Sequence, residues 1–117
     1  MCNLYNMTSS QRAILDLARA LVDKTGNRPI LPGIYPNTDA PIVREGSEGR
    51  ELVMAHWGMP SPAFTLEGKT VDKGITNIRN TKSPHWRRWL GQSSRCLVPF
   101  TAFSEPGRDE NNRFKPI

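Results

Sequence analysis

Residues 42–62 read IVREGSEGRELVMAHWGMPSP, and this stretch decides the fold class. Residues 42–44 are short and mostly apolar and β-branched, so a strand is expected there. The next six residues, EGSEGR, hold two glycines and no large apolar side chain, so the chain turns. ELVMAHW at 51–57 alternates enough to be a second strand, and GMPSP at 58–62 ends it. Strand, polar turn and strand sit at the centre of a short chain. A helical pattern lies on one side of them.

That pattern is TSSQRAILDLARALVDK at 8–24. Ile14, Leu17, Ala18 and Leu21 follow the i, i+3, i+4, i+7 spacing of a buried stripe. Thr8 and Gln11 have capping-box spacing, and Gly26 is expected to stop the helix. A proline-rich loop is expected over 27–41. Beyond the second strand, GITNIRN at 74–80 reads as a short extended segment running into a loop. SPHWRRWL at 83–90 reads as a short helix with Ser83 as cap and Pro84 at its first position. Trp86, Trp89 and Leu90 would share one side of it, leaving Arg87 and Arg88 toward solvent. RCLVPF at 95–100 is expected to be an apolar, central strand. SEPGRDENN at 104–112 reads as a turn-rich loop, and RFKPI at 113–117 begins as another strand would. The fold class is therefore mixed α+β.

The chain has 117 residues, enough for one domain. Ten prolines and nine glycines imply many turns. No apolar run is long enough to span a membrane. The opening MCNLYNMTSSQ lacks the basic start and apolar stretch of a secretory leader, so a cytoplasmic location is expected. Two cysteines, Cys2 and Cys96, and two histidines, His56 and His85, match no zinc spacing. No metal or cofactor is expected, and no role is assigned to either histidine. Cys96 is expected to be inert core.

The formal charge is +5. Between Lys69 and Arg95 lie seven basic side chains and one acid, Asp72, so this segment alone carries a net +6. A basic segment in a near-neutral background points to an anionic partner, with nucleic acid the leading candidate. Arg79, Lys82, Arg87 and Arg88, with Trp86 and Trp89 nearby, could form a phosphate-binding face with aromatic stacking. The plain alternative places the tryptophans in the core and the arginines in water.

Cys2 directly follows Met1. It is either an ordinary residue after the initiator or, once Met1 is trimmed, a 1,2-aminothiol. Such a group condenses with an aldehyde: the amine forms an imine and the thiol closes a thiazolidine on the same carbon. An α-amine has a pKa of about 7.7–8.0 against about 10.4 for lysine, so more of it is neutral at physiological pH. Glu105 is either a solvated turn carboxylate or a general acid/base held at a strand end. Asn77 is either a turn residue or an amide that orients a hydroxyl or carbonyl.

Four pieces, in order, resemble the SRAP (SOS response-associated peptidase) family. They are Met1-Cys2, HWGMPSP at 56–62, TNIRN at 76–80 and RCLVPFTAFSEP at 95–106. The resemblance implies a β-rich, barrel-like domain with flanking helices. It also implies capture of abasic sites in single-stranded DNA as a thiazolidine on the mature N-terminal cysteine. By match, Cys2 would supply amine and thiol, Asn77 would position the opened sugar, Glu105 would move protons and Arg79 would hold a phosphate. Departures are Asn3, Leu4 and Tyr5 in place of Gly-Arg-Phe, and Ser104 and Pro106 around Glu105 in place of aromatics. Family domains are longer, with a catalytic histidine in their later half. Residues 1–117 are therefore expected to be the N-terminal half of one domain, completed by a second copy or a C-terminal half. Two other functions fit a mature N-terminal cysteine or a basic segment. One is an N-terminal-nucleophile hydrolase or peptidase, the other a non-catalytic nucleic-acid-binding module.

Overall fold

The computed structural model describes residues 3–116. Strand β1 (Leu4–Met7) leads to helix α1 (Gln11–Ala18), then β2 (Val22–Asp23) and β3 (Leu31–Ile34). The long hairpin of β4 (Asp39–Gly46) and β5 (Gly49–His56) follows. After it come α2 (Pro84–Arg87), flanked by single 3₁₀ turns at Ala63–Leu66 and Gln92–Ser94, then β6 (Ala102–Ser104), β7 (Pro106–Arg108) and β8 (Phe114–Pro116). The sheets run β2-β5-β4, β3-β1-β6 and β7-β8.

The central stretch folds as its sequence predicts, and further. The two strands pair antiparallel in unbroken register from Gly46↔Gly49 to Asp39↔His56. The first strand starts three residues before the expected position 42. Leu52, 1% exposed, lies at the middle of β5. It joins Tyr5, Met7, Ile14, Ile34, Ala40 and Val43 in one core cluster. Glu51 beside it is 5% exposed and carries a full ion-pair complement, Lys24 Nζ at 2.7 Å and Arg44 Nε at 2.8 Å. Its carboxylate occupies the space over Gly46, where a Cβ would sit 2.6 Å from it. Hydrogen bonds from Lys24 and then Arg44 hold the Glu51 pKa below its ordinary value.

The helix is shorter than its pattern. It is capped by Ser10, whose hydroxyl accepts from the Ala13 amide at 3.1 Å, not by Thr8. It ends at Ala18, where Arg19 turns left-handed (φ 52°), so Gly26 is not its stop. Gln11 donates instead to Asp23, Thr25 and Gly26. Only Ile14 of the expected stripe is buried; Leu17 and Leu21 are 87% and 79% exposed. The reason is tertiary. The amides of Leu21 and Lys24 bond to the carbonyls of Arg50 and Leu52, which draws this segment onto β5 as the parallel strand β2. Sheet pairing outweighs a helical preference of a few tenths of a kcal/mol per residue.

The expected strand at 95–100 does not form. Leu97 alone bonds to Val43, through both backbone groups. Pro99 offers no amide, and by Thr101 the chain has crossed to bond Asn6 of β1. Residues 97–104 thus hydrogen-bond first to β4 and then to β1, linking the two three-stranded sheets along one line. Among the described residues no closed barrel is found; the arrangement is mixed α+β, mostly strands in small sheets. The expected loops at 27–41 and 104–112 contain β3 and β7. The start of RFKPI does form β8, against β7.

Candidate functional site

A cleft of about 450 Å³ opens between the two three-stranded sheets. Its walls come from Tyr5 of β1, Ala40 and Ile42 of β4, and Ala55 and His56 of β5. Trp57, Gly58, Met59, Ile75, Thr76, Cys96, Val98, Phe100, Phe103 and Glu105 complete them. Each internal motif of the sequence therefore contributes to one cavity.

Backbone contacts bring the motifs together. Gly58 has φ 146° and Gly74 φ 78°, and a Cβ on Gly74 would lie 3.3 Å from the Gly58 Cα. Only glycine permits both that conformation and that approach. Met59 and Ile75 then exchange two hydrogen bonds of 2.8 Å. Asp72 locks the crossing by accepting from the Ser61 amide (2.9 Å), the Ser61 hydroxyl (2.6 Å) and the Gly74 amide (2.8 Å). These bonds, the Ser61 hydroxyl's first, hold its pKa below the ordinary carboxylate value. Thr76 consequently lines the cleft; Asn77, next in sequence, is exposed and is not among the lining residues. Arg79, also exposed, lies on the same segment.

On the other side, β1 and β6 pair as Leu4↔Ser104, Tyr5↔Phe103 and Asn6↔Ala102. This register runs toward Glu105 at the end of β6 as it runs toward the start of β1. Glu105 is half-buried and lines the cleft, a carboxylate set against mostly apolar walls. Cys2 lies outside the described residues.

The basic face is built on α2. Ser83 stands at the N-cap position and Pro84 in the first turn, as expected, although the Ser83 side chain makes no capping bond. Trp86 is buried at 6% exposure in a three-ring cluster with His85 (4.5 Å) and Trp89 (6.0 Å), which also meet each other at 5.5 Å. Its indole is therefore part of the fold, and the exposed stack is Arg88, whose guanidinium lies 4.1 Å over the Trp89 ring. Lys82, Arg87 and Arg88 are exposed. His85 Nε2 contacts the Pro60 carbonyl at 2.8 Å and ties this helix to the loop after β5.

Sequence reading misses two placements. His56 is held by Asp39 at Nδ1 (2.8 Å) and Asn37 at Nε2 (3.0 Å). Extending the hairpin register from its turn to its far end would have placed Asp39 opposite His56. Tyr5 and Trp57, both lining the cleft, pack ring to ring at 5.3 Å, a pairing with no local signal. Cys96, expected in the core, is instead exposed at the cleft wall, with its thiol pKa pushed up by desolvation. A thiol held protonated is a poor nucleophile. Among the described residues no three metal-ligating side chains come together, and no helix is long and apolar enough to cross a membrane.

The family model for SOS response associated peptidase (SRAP) matches residues 1–117. The chain belongs to the SRAP family. Membership associates it with the SOS response and with abasic-site or peptidase chemistry. No curated protein matches the chain closely enough to count as a relative. Three of the four SRAP motifs that sequence reading singles out, 56–62, 76–80 and 95–106, contribute residues to the cleft; Met1-Cys2 lies outside the described residues.

Proposed function

We propose that this SRAP chain captures abasic sites in single-stranded DNA through Cys2. The observation that carries this reading is the β1–β6 register. It brings the first strand, which begins two residues after Cys2, alongside the strand that ends next to Glu105. An abasic sugar opens to an aldehyde. The Cys2 α-amine adds to that carbon and, with loss of one water, gives an imine. The Cys2 thiol then adds to the imine carbon and its proton passes to nitrogen, closing a thiazolidine. Glu105 takes and returns the protons of the dehydration and ring closure. Asn77, next to the cleft-lining Thr76, orients the opened sugar. Arg79, with Lys82, Arg87 and Arg88, holds flanking phosphates, and Trp86 supports that face from beneath.

The same reading takes residues 1–117 as the N-terminal half of one barrel-like SRAP domain. The segment 97–104, bonded to both sheets, supports it as the line along which such a barrel curves. The reaction needs no cofactor.

Incubation with abasic single-stranded DNA, followed by a denaturing gel, tests the proposal. A heat-stable shifted band is expected for the parent. Cys2→Ala should lose that band while keeping non-covalent binding and an imine trappable by borohydride, because the α-amine remains. Equally stable crosslinking by Cys2→Ala would sink the thiazolidine mechanism. Cleavage of a peptide amide with no DNA adduct would favour the N-terminal-nucleophile hydrolase instead.

A further inference from the structure

The stretch from Lys69 to Arg95 carries seven basic side chains and one acid, Asp72. A lone carboxylate there weakens the attraction of the segment for a phosphate backbone. Its bonds show what it does instead. One oxygen accepts from the Ser61 amide at 2.9 Å. The other accepts from the Ser61 hydroxyl at 2.6 Å and from the Gly74 amide at 2.8 Å. Hydrogen bonds to an ionised acceptor are roughly twice as strong as neutral ones. The bond to Gly74 closes an Asx turn two residues long, and those to Ser61 reach back 11 residues. One side chain therefore holds both sides of the crossing at which Gly74 passes Gly58 and Met59 exchanges backbone bonds with Ile75. Next along the chain come Thr76, which lines the cleft, and Asn77. At about 3.3–3.6 Å of chain per residue, the Asn77 backbone lies within roughly 7 Å of Ile75. The anchored pair thus limits where the Asn77 amide can reach.

We propose that Asp72 is a positioning residue for Asn77 in adduct formation. This role rests on the crosslinking reading, in which Asn77 orients the opened sugar. Asp72 acts through the chain crossing, by keeping Ser61 and Gly74 together. The role needs a carboxylate, because acceptors are required at both oxygens. An amide in its place would turn an NH₂ group toward a backbone N–H, donor against donor. A misplacement of about 1 Å at a positioned group can cost 10²-fold in rate.

A double-mutant cycle tests it. Single-turnover adduct rates with abasic single-stranded DNA are compared for the parent, Asp72→Asn, Asn77→Ala and the double variant. A binding titration and circular dichroism accompany each. Asp72→Asn is expected to slow adduct formation by about 10- to 100-fold. Affinity should hold or rise, because the substitution removes a negative charge from a basic segment. With Asn77→Ala already present, Asp72→Asn should slow the rate by no more than about twofold, the coupling expected of residues that act as one unit. Ser61→Ala, which removes only the hydroxyl donor, should follow the same pattern with a smaller loss, and it decides the matter if Asp72→Asn does not fold. Losses that multiply in the double variant overturn the proposal, as does an Asp72→Asn rate equal to the parent's. Either result in a chain that forms the adduct leaves the Cys2 reading standing. A parent that forms no adduct overturns that reading and this role with it.

Discussion

The β4–β5 hairpin and the segment from residue 58 to 105 are held by different forces. In the hairpin, Leu52 and Val53 are buried side by side with the ion-paired Glu51, and eight residue pairs run in register. Between 58 and 105, Trp86 alone is buried. That region keeps its shape through point contacts: the Gly58–Gly74 crossing, the Asp72 clamp on Ser61, and the His85–Pro60 bond. Stability is concentrated in the first region and candidate chemistry in the second. Loops on a rigid support commonly carry function in this way. The two should therefore respond to substitution in opposite senses.

The largest contrast is expected at Glu105. Glu105→Gln keeps the shape and removes the proton acceptor, so the adduct rate should fall by about 10²–10⁴-fold. DNA affinity and thermal unfolding should stay close to parent. Single-turnover gels beside a binding titration separate these quantities. A change in affinity alone would make Glu105 a binding residue.

Next is the reverse case. Leu52→Ala should cost about 2–5 kcal/mol of stability, read by urea denaturation. Phe64→Ala, 76% exposed in the loop-built region, should stay within about 0.5 kcal/mol. Equal losses at the two positions would break the comparison, because the second region would then have a core of its own.

The smallest effect is on acid sensitivity. The Glu51 pKa is lowered from 4.5 by its bonds to Lys24 and Arg44. Its contribution is therefore fully present above 4.5 and is lost as the pH falls through the depressed value. Glu51→Gln should lower the melting temperature at neutral pH, and the gap to the parent should narrow progressively below pH 4.5. A gap that stays constant with pH would mean that packing under Gly46, not charge, sets the effect.

Local patterns made much of this molecule legible in advance. The strand–turn–strand at its centre follows from period-two alternation around a two-glycine turn, which neighbouring residues alone specify. The short helix at Pro84 follows from a proline whose missing amide costs nothing at a helix start. The segments lining the cleft stand out through their resemblance, in order and spacing, to SRAP motifs. Three things were decided only by the folded chain. Residues 21–24 left a good helical pattern because the β5 edge offered backbone bonds that no local feature reports. Cys96 and Leu97 stand exposed because their segment, broken by Pro99, bridges two sheets instead of entering one. His56 meets Asp39 and Asn37 because a hairpin register propagates from the turn to the opposite end. Periodicity and turn chemistry are short-range quantities, readable from the sequence itself. Strand partners, the closeness of Gly58 to Gly74 and the burial of Trp86 depend on residues far apart along the chain, so only the tertiary structure decides them.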